Sequence, residues 1–508
     1  KAKAIYELND EIEKDNGLSK VVYIRTYSRN IYDKNGNYVR NETVFDTWLR
    51  CVNGIYSLAK QKFPATSEWN EKFWQSEAFT MLKLFISKKL SPSGRGLWNL
   101  GTPLVHSKQI GMALFNCAFI TSSNIDEIKA EYFCFIMYGL MVGSGVGLDD
   151  AGEGKLTIRQ PIPSNFTPCA NVEPLCAQLR EMMKTSKKVT PKGKMYLAKE
   201  VKYMENIQVY HPNQYTIFQV PDDRNGWIEA LRRLLNSYFK SQYIVLFDYS
   251  AIRKKGEFLI TSGGKASGPQ PLAEALAIIR YLLQANIGKP LSSELILDIA
   301  NIIGMMVVAG NVRRSSQIFC FRKLELADIK KAYVRIKDEL GNVVTEITKK
   351  PDMAMESDVI LFDDERLKCT YDDFSNLQYI WTSYRVVKDQ DGNLELHNEK
   401  QKIVAKLTGC THMQKMISYD KYRYRTMPEA WAGNSNNSFI VDNDWTEEEF
   451  DKILDVIIPM IDETSEPGIF NIKLCRHYGR LIDGYGDHDL GVDGLNPCGE
   501  ITLQGMRK

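Results

Sequence analysis

The chain has 508 residues, enough for about two or three domains or one large α/β barrel with additions. Hydrophobic residues make up 44% and charged residues 25%, so a sizeable core can form, and 65 basic against 63 acidic residues leave a net charge of +2, which excludes a broad nucleic-acid footprint. The N-terminal residues lack a signal-peptide apolar stretch, and the most apolar run, Leu295 to Val308, is interrupted by Asp298 and Asn301; with ten scattered cysteines and no CxxC pair, the expectation is a soluble, cytoplasmic chain with reduced thiols, no metal site and no membrane partner.

Residues 1–90 read as mostly helical. Apolar residues fall at helical spacing over Val44 to Phe63 and again over Phe73 to Leu90, and Ser91-Pro92-Ser93-Gly94 then breaks the pattern. Strand-like and helix-like segments alternate from there. Ala113 to Ile120 reads as a buried strand and Ile128 to Val142 as a helix. A helix over Trp227 to Lys240 precedes a strand over Tyr243 to Phe247. Leu272 to Ala285 and Ser292 to Ala309 read as helices, with a strand over Ser315 to Phe321. This alternation predicts an α/β architecture with parallel strands over 91–321. Residues 322–430 are richer in Lys, Asp, Glu and Tyr and carry a hairpin signal, Gln390-Asp391-Gly392-Asn393, so they read as an inserted α+β region. The rest, 431–508, resumes the main fold.

The most informative stretch is Asn496-Pro497-Cys498-Gly499-Glu500-Ile501. Proline and glycine around Cys498 favour a loop or finger over a core strand. In an extended finger, residues 496, 498 and 500 can face one point, where an amide binds a hydroxyl, a carboxylate takes its proton and a thiol gives up a hydrogen atom. Cys117, in Phe115-Asn116-Cys117-Ala118-Phe119, taken alone reads as packing. The run Ser262-Gly263-Gly264-Lys265-Ala266-Ser267-Gly268-Pro269 suits close approach to a phosphate but is no Walker loop; alone it fits a flexible surface loop equally well. Gly143-Ser144-Gly145-Val146-Gly147 follows a predicted helix, and Leu148 stands where a dinucleotide fingerprint needs glycine, so a Rossmann site is rejected. Arg313 and Arg314 end an apolar helix; complementing its dipole is slightly favoured over binding phosphate or holding the ends of neighbouring strands. Asn434-Ser435-Asn436-Asn437-Ser438 by itself reads as a solvated turn.

Taken together and in order, these motifs resemble one family, the monomeric adenosylcobalamin-dependent ribonucleoside-triphosphate reductases. The matches are Phe115 to Phe119, Gly263 to Pro269, Gly310-Asn311-Val312-Arg313-Arg314-Ser315, Ser435 to Ser438, Glu466-Pro467-Gly468-Ile469 and Asn496 to Ile501. The resemblance runs from about Val22 to Gln504, with 322–430 longer than is usual. It implies the first half of a ten-stranded α/β barrel. It also implies that Cys498 carries a thiyl radical, that Glu500 is the base for the substrate's 3′-hydroxyl, that Asn496 binds the substrate hydroxyls, and that Cys117 is one of two reducing thiols. The loop from Ser262 through Gly263, Gly264, Lys265, Ala266, Ser267 and Gly268 would be the specificity loop that senses a deoxynucleotide effector.

The cofactor implied is adenosylcobalamin and the substrate a ribonucleoside triphosphate. An Asp-x-His-x-x-Gly cobalamin motif is not found, because Gly486 stands where the Asp would precede His488 and Gly491. No cysteine follows Cys498, whereas the family's second reducing cysteine lies shortly after that motif. The resemblance therefore implies a C-terminal half on a separate or spliced polypeptide, together with a thioredoxin-like reductant. Two competing readings are the large subunit of a metal-radical reductase and a non-catalytic nucleotide-binding fragment.

Overall fold

The structure, a computed structural model, describes residues 23–24, 26–35, 37–62, 70–106, 110–163, 171–185, 191–212, 214–259, 264–308, 316–322, 435–441, 446–464, 466–478 and 484–505. Between 323 and 434 it describes the backbone of ten strands.

The N-terminal part is a helical pair preceded by a small antiparallel hairpin, Asn30–Tyr32 with Tyr38–Asn41, which helical periodicity did not reveal. Helix α1 spans Val44–Lys62 and α2 spans Glu71–Ile86. The second starts earlier than predicted because Asn70 caps it, its side-chain oxygen accepting from Phe73 N at 3.1 Å. It ends earlier too, at a turn in which Lys88 has φ +56°. The pair closes on Val52, Leu82 and Phe85. Arg50 of α1 binds Glu42 at 2.8 Å and donates to the carbonyls of Leu97 and Leu100, fastening the pair to 94–106.

A five-stranded sheet follows. Strand β1 is Cys117–Ile120, helix α3 Ala130–Met141 and strand β2 Gly145–Asp149. The predicted strand over Ala113 to Ile120 is therefore halved, since Gly111–Leu114 is a 3-10 turn. The cause lies in side chains that take the carbonyls a ladder would need. Asn99 Nδ2 donates to Ala113 O, and Ser144 Oγ donates to Met112 O and Phe115 O. After β2 come α4 Pro191–Tyr210, β3 Thr216–Gln219, α5 Arg224–Phe239, β4 Val245–Asp248, α6 Gln270–Ala285 and α7 Ser293–Val308. Strands β3 and β4 form a separate parallel pair. In this helical layer Arg280 of α6 holds Glu200 of α4 through Nε at 2.9 Å, with both side chains buried.

Strand β5, Gln317–Phe321, returns beside β2, and β6, Ser435–Val441, lies beside β5. Helix α8, Glu447–Thr464, leads to β7, Gly468–Asn471. The sheet order is β7-β6-β5-β2-β1, and every pairing is parallel. This confirms an α/β fold with a parallel sheet. The ten strands of 333–416 enter between β5 and β6. They include the predicted hairpin, Tyr384–Lys388 against Leu394–Asn398.

A parallel sheet covered on both faces has apolar strands throughout, with alternate residues serving opposite faces. Ile120, Val146, Leu148, Phe319, Phe321, Phe439 and Val441 pack into the helical layer of α3, α7 and α8. Phe119, Ile318, Cys320, Ile440 and Phe470 point the other way, where they meet Val492 and Leu495. Those two residues belong to the hairpin of β8, Val492–Leu495, and β9, Thr502–Gln504. Each large side chain buried there contributes roughly 1.5–3 kcal/mol, so the hairpin is seated by its apolar strands.

Candidate active site

The finger is a hairpin loop. Gly499 N donates to Asn496 O at 2.8 Å, closing a turn over Asn496-Pro497-Cys498-Gly499. Asparagine first, proline second and glycine last are the residues such a turn prefers, and Gly499 takes φ +81°. The expected extended run, with 496, 498 and 500 on one side, is thereby corrected. The turn sends Asn496 down into the fold, with no exposed surface, and leaves Cys498 and Glu500 exposed at the tip.

Asn496 closes the loop on itself. Its backbone N donates to Ile501 O and its Oδ1 accepts from Ile501 N, both at 2.9 Å. Its Nδ2 lies 3.6 Å from Cys117 Sγ. Cys117 opens β1 opposite Gly145 in β2, and strand alternation puts it on the hairpin side with Phe119. The tip thus rests on the N-terminal ends of the parallel strands.

Two glycines make room for it. A Cβ at Gly145 would lie 2.8 Å from the Pro497 ring, and one at Gly147 would lie 2.2 Å from Leu495 O and 2.4 Å from the Phe119 ring. The Gly-x-Gly pattern serves close approach of the hairpin to β2, in keeping with rejection of a dinucleotide site.

The Asn/Ser cluster is a further correction. Ser435 to Ser438 open the buried strand β6 and do not form a solvated turn. Their polar groups are satisfied within the fold, which removes the cost of burying them. Ser435 Oγ donates to Asn437 Oδ1 at 3.0 Å, and Asn436 Nδ2 donates to Pro497 O at 2.8 Å. The apolar run Phe439-Ile440-Val441 directly after the cluster was the signal that could have identified it as the start of a strand.

The thiols divide by environment. Burial pushes Cys320 and Cys134 up to about 12, and Cys51 and Cys176 up to about 11, as expected for inert packing residues. Cys498 is exposed yet is also raised, by burial of its surroundings, then by the Glu500 carboxylate and by Cys117. A thiol held above its usual range keeps its S–H bond at neutral pH.

Of the predicted specificity loop, Ser262 and Gly263 lie outside the described residues. Gly264 and Lys265 pair antiparallel with Leu259 and Phe258. Ala266 N donates to Glu257 O at 2.7 Å, and Gly268 takes φ +78°. This segment folds against 254–259 and leads into α6, so the structure unites Cys117, Asn496 and Cys498 and gives the loop its own place. Arg313 and Arg314 also lie outside the described residues. Among the described residues no helix is long and apolar enough to cross a membrane.

Comparison with known proteins adds to this geometry. The family model "Ribonucleotide reductase alpha domain" matches residues 1–102, and "B12-dependent ribonucleotide reductase, insertion domain" matches residues 187–283. The latter match covers α4 to α6, inside the segment read from sequence as barrel with effector region. A solved structure described as a B12-dependent (class II) ribonucleotide reductase aligns with a TM-score of 0.56 and 21% identity, over 98% of this chain and 56% of that one; at that identity it shows the fold alone.

By fold, then, the chain is an α/β protein with a parallel sheet, similar in fold to that class II ribonucleotide reductase structure. Its sequence relatives narrow this further. An adenosylcobalamin-dependent ribonucleoside-triphosphate reductase of Euglena gracilis is 34% identical over 60% of this chain and 35% of its own length. A probable enzyme of the same description from Dictyostelium discoideum is 36% identical over 59% of this chain and 35% of its own. One from Lactobacillus gasseri is 27% identical over 96% of this chain and 53% of its own. The resemblance read from the motifs is borne out: this chain is similar in sequence to proteins described as adenosylcobalamin-dependent ribonucleoside-triphosphate reductases. It spans about a third to a half of the length of these relatives.

Proposed function

We propose that this chain carries the radical finger and one reducing thiol of an adenosylcobalamin-dependent ribonucleoside-triphosphate reductase. The observation that carries the reading is the finger seated on the strand ends, with Asn496 against Cys117 and the Cys498 sulfur exposed at the tip. The cofactor supplies the initiating radical when bound. In this chain the point where it would act is the exposed Cys498 sulfur, whose raised thiol keeps the hydrogen atom in place until it is removed.

Cys498 as a thiyl takes the 3′-hydrogen of the ribose and later returns it. Glu500, beside it at the tip, accepts the 3′-hydroxyl proton. The Asn496 amide orients the substrate hydroxyls, its Nδ2 directed to the space beside Cys117. Cys117 and a second thiol supply two electrons and two protons, become a disulfide, and release the 2′-hydroxyl as water. The Ser262 to Gly268 loop is assigned to the deoxynucleotide effector. The part of the relatives' length that this chain does not span would complete a ten-stranded barrel beside β7 and bring the second thiol, and a thioredoxin-like reductant recharges the pair in the cytoplasm. The match of 187–283 to a B12-dependent insertion domain supports this reading over a metal-radical large subunit.

The test is Cys498→Ser in the completed enzyme. Turnover is expected to vanish with the fold unchanged, because a hydroxyl does not readily carry the radical; retained turnover refutes the assignment. Cys117→Ser is expected to block multiple turnovers, and unimpaired cycling would remove Cys117 from the site.

A further inference from the structure

We infer that Asn436 is a positioning residue for Cys498, holding the finger tip in register with the strand ends. The inference rests on the reading of Cys498 as the reactive sulfur. Asn436 is the second residue of β6, in the polar run that opens this otherwise apolar strand. Its Nδ2 donates to Pro497 O at 2.8 Å. That carbonyl belongs to the peptide joining Pro497 to Cys498, so the bond acts one peptide unit from the carbon that bears the sulfur.

The other bonds of the turn do a different job. Gly499 N to Asn496 O, and the two bonds between Asn496 and Ile501, close the loop on itself. They would survive if the whole tip rocked about its hairpin. The turn is tied to the sheet by Asn436 and, more weakly, by the 3.6 Å approach of Asn496 Nδ2 to the Cys117 sulfur, since sulfur is a weak acceptor. The Pro497 ring over Gly145 limits motion toward β2 but not away from it. A side-chain amide suits the position. Aspartate would set a carboxylate against a carbonyl oxygen, serine is too short to reach, and leucine fills the space without a donor. Ser435 and Asn437 bond to each other on the opposite side of the strand, so the start of β6 stays fixed without Asn436.

The test measures alkylation of Cys498 by iodoacetamide in this 508-residue chain, read peptide by peptide from pH 6 to 10, with Cys117 as internal reference. A neutral hydrogen bond of this kind is worth about five-fold in the population of the seated tip. Asn436→Leu is expected to raise the Cys498 rate about five-fold near neutral pH and to move its profile toward that of an ordinary thiol. Asn436→Gln, which keeps the amide, should recover part of the native profile. In the completed enzyme, Asn436→Leu should lower kcat with KM little changed. A Cys498 profile identical in native and Asn436→Leu chains overturns the inference. Should the leucine variant fail to fold, Asn436→Ser carries the same expectation and the same refutation. If Cys498→Ser still turns over, the functional reading has failed; if that variant is dead while the alkylation profile ignores Asn436, only the present inference has.

Discussion

Replacing Gly147 by alanine tests whether hairpin and sheet are matched as closely as the structure shows. The new methyl would stand 2.2 Å from Leu495 O and 2.4 Å from Phe119 Cδ2, against ordinary contact at 3.4 Å or more. One neighbour must therefore retreat by more than an ångström. Neither can do so easily, because Leu495 O is backbone and the Phe119 ring is 1% exposed, with Gly494 so near that a Cβ there would lie 2.0 Å from it. Overpacking of this kind costs about 1–3 kcal/mol, and the hairpin, held by fewer strands than the sheet, is the part expected to lift. Urea unfolding of the 508-residue chain should show a lower midpoint with an unchanged slope. Cys117 alkylation should quicken as the Asn496 amide withdraws. An unchanged midpoint together with unchanged Cys117 reactivity would refute the close-approach account of this glycine.

Other expectations follow from the same structure. The Cys498 thiol is raised in part by Glu500, so Glu500→Gln should shift its alkylation profile to lower pH; a shift upward or none would contradict that cause. Arg280 and Glu200 are both buried, and Arg280→Ala strands a carboxylate in the helical layer at a cost of about 3–5 kcal/mol. Burial already pushes Glu200 up and loss of its cation pushes it further. The variant's deficit should therefore shrink as pH falls through that raised value, because the protonated acid is the form the fold tolerates; a deficit independent of pH would count against it. Ser122 Oγ donates to Asp149 Oδ1 at 2.7 Å and itself accepts from Gly152 N at 2.8 Å. Ser122→Ala should cost about 1–3 kcal/mol in a denaturant titration, and a neutral result would mean that water replaces the hydroxyl.

Much of the site could be read from residue order. Proline and glycine around Cys498 announce a turn because their backbone preferences act locally, and the turn is there. The amphipathic spacing of α1, α3 and α5 to α7 marked each helix to within a few residues, since burial of one face imposes its period on the sequence. The errors arose where a distant group decided a local state. Ala113 to Phe115 are apolar enough for a strand, but Asn99 takes the Ala113 carbonyl and Ser144 those of Met112 and Phe115. Ser435 to Ser438 are polar enough for a turn, but a neighbouring strand and the finger satisfy them.

By itself the sequence determined the main helices, the parallel α/β class and the turn at the finger, because these follow from short-range periodicity, turn chemistry and motif wording. Tertiary structure alone decided that Gly145–Asp149 lies beside Gln317–Phe321, that the hairpin seats its tip on the strand N-termini, and that Asn436 reaches Pro497. Parallel pairing joins segments far apart in the chain, and no local preference encodes which strand ends will meet.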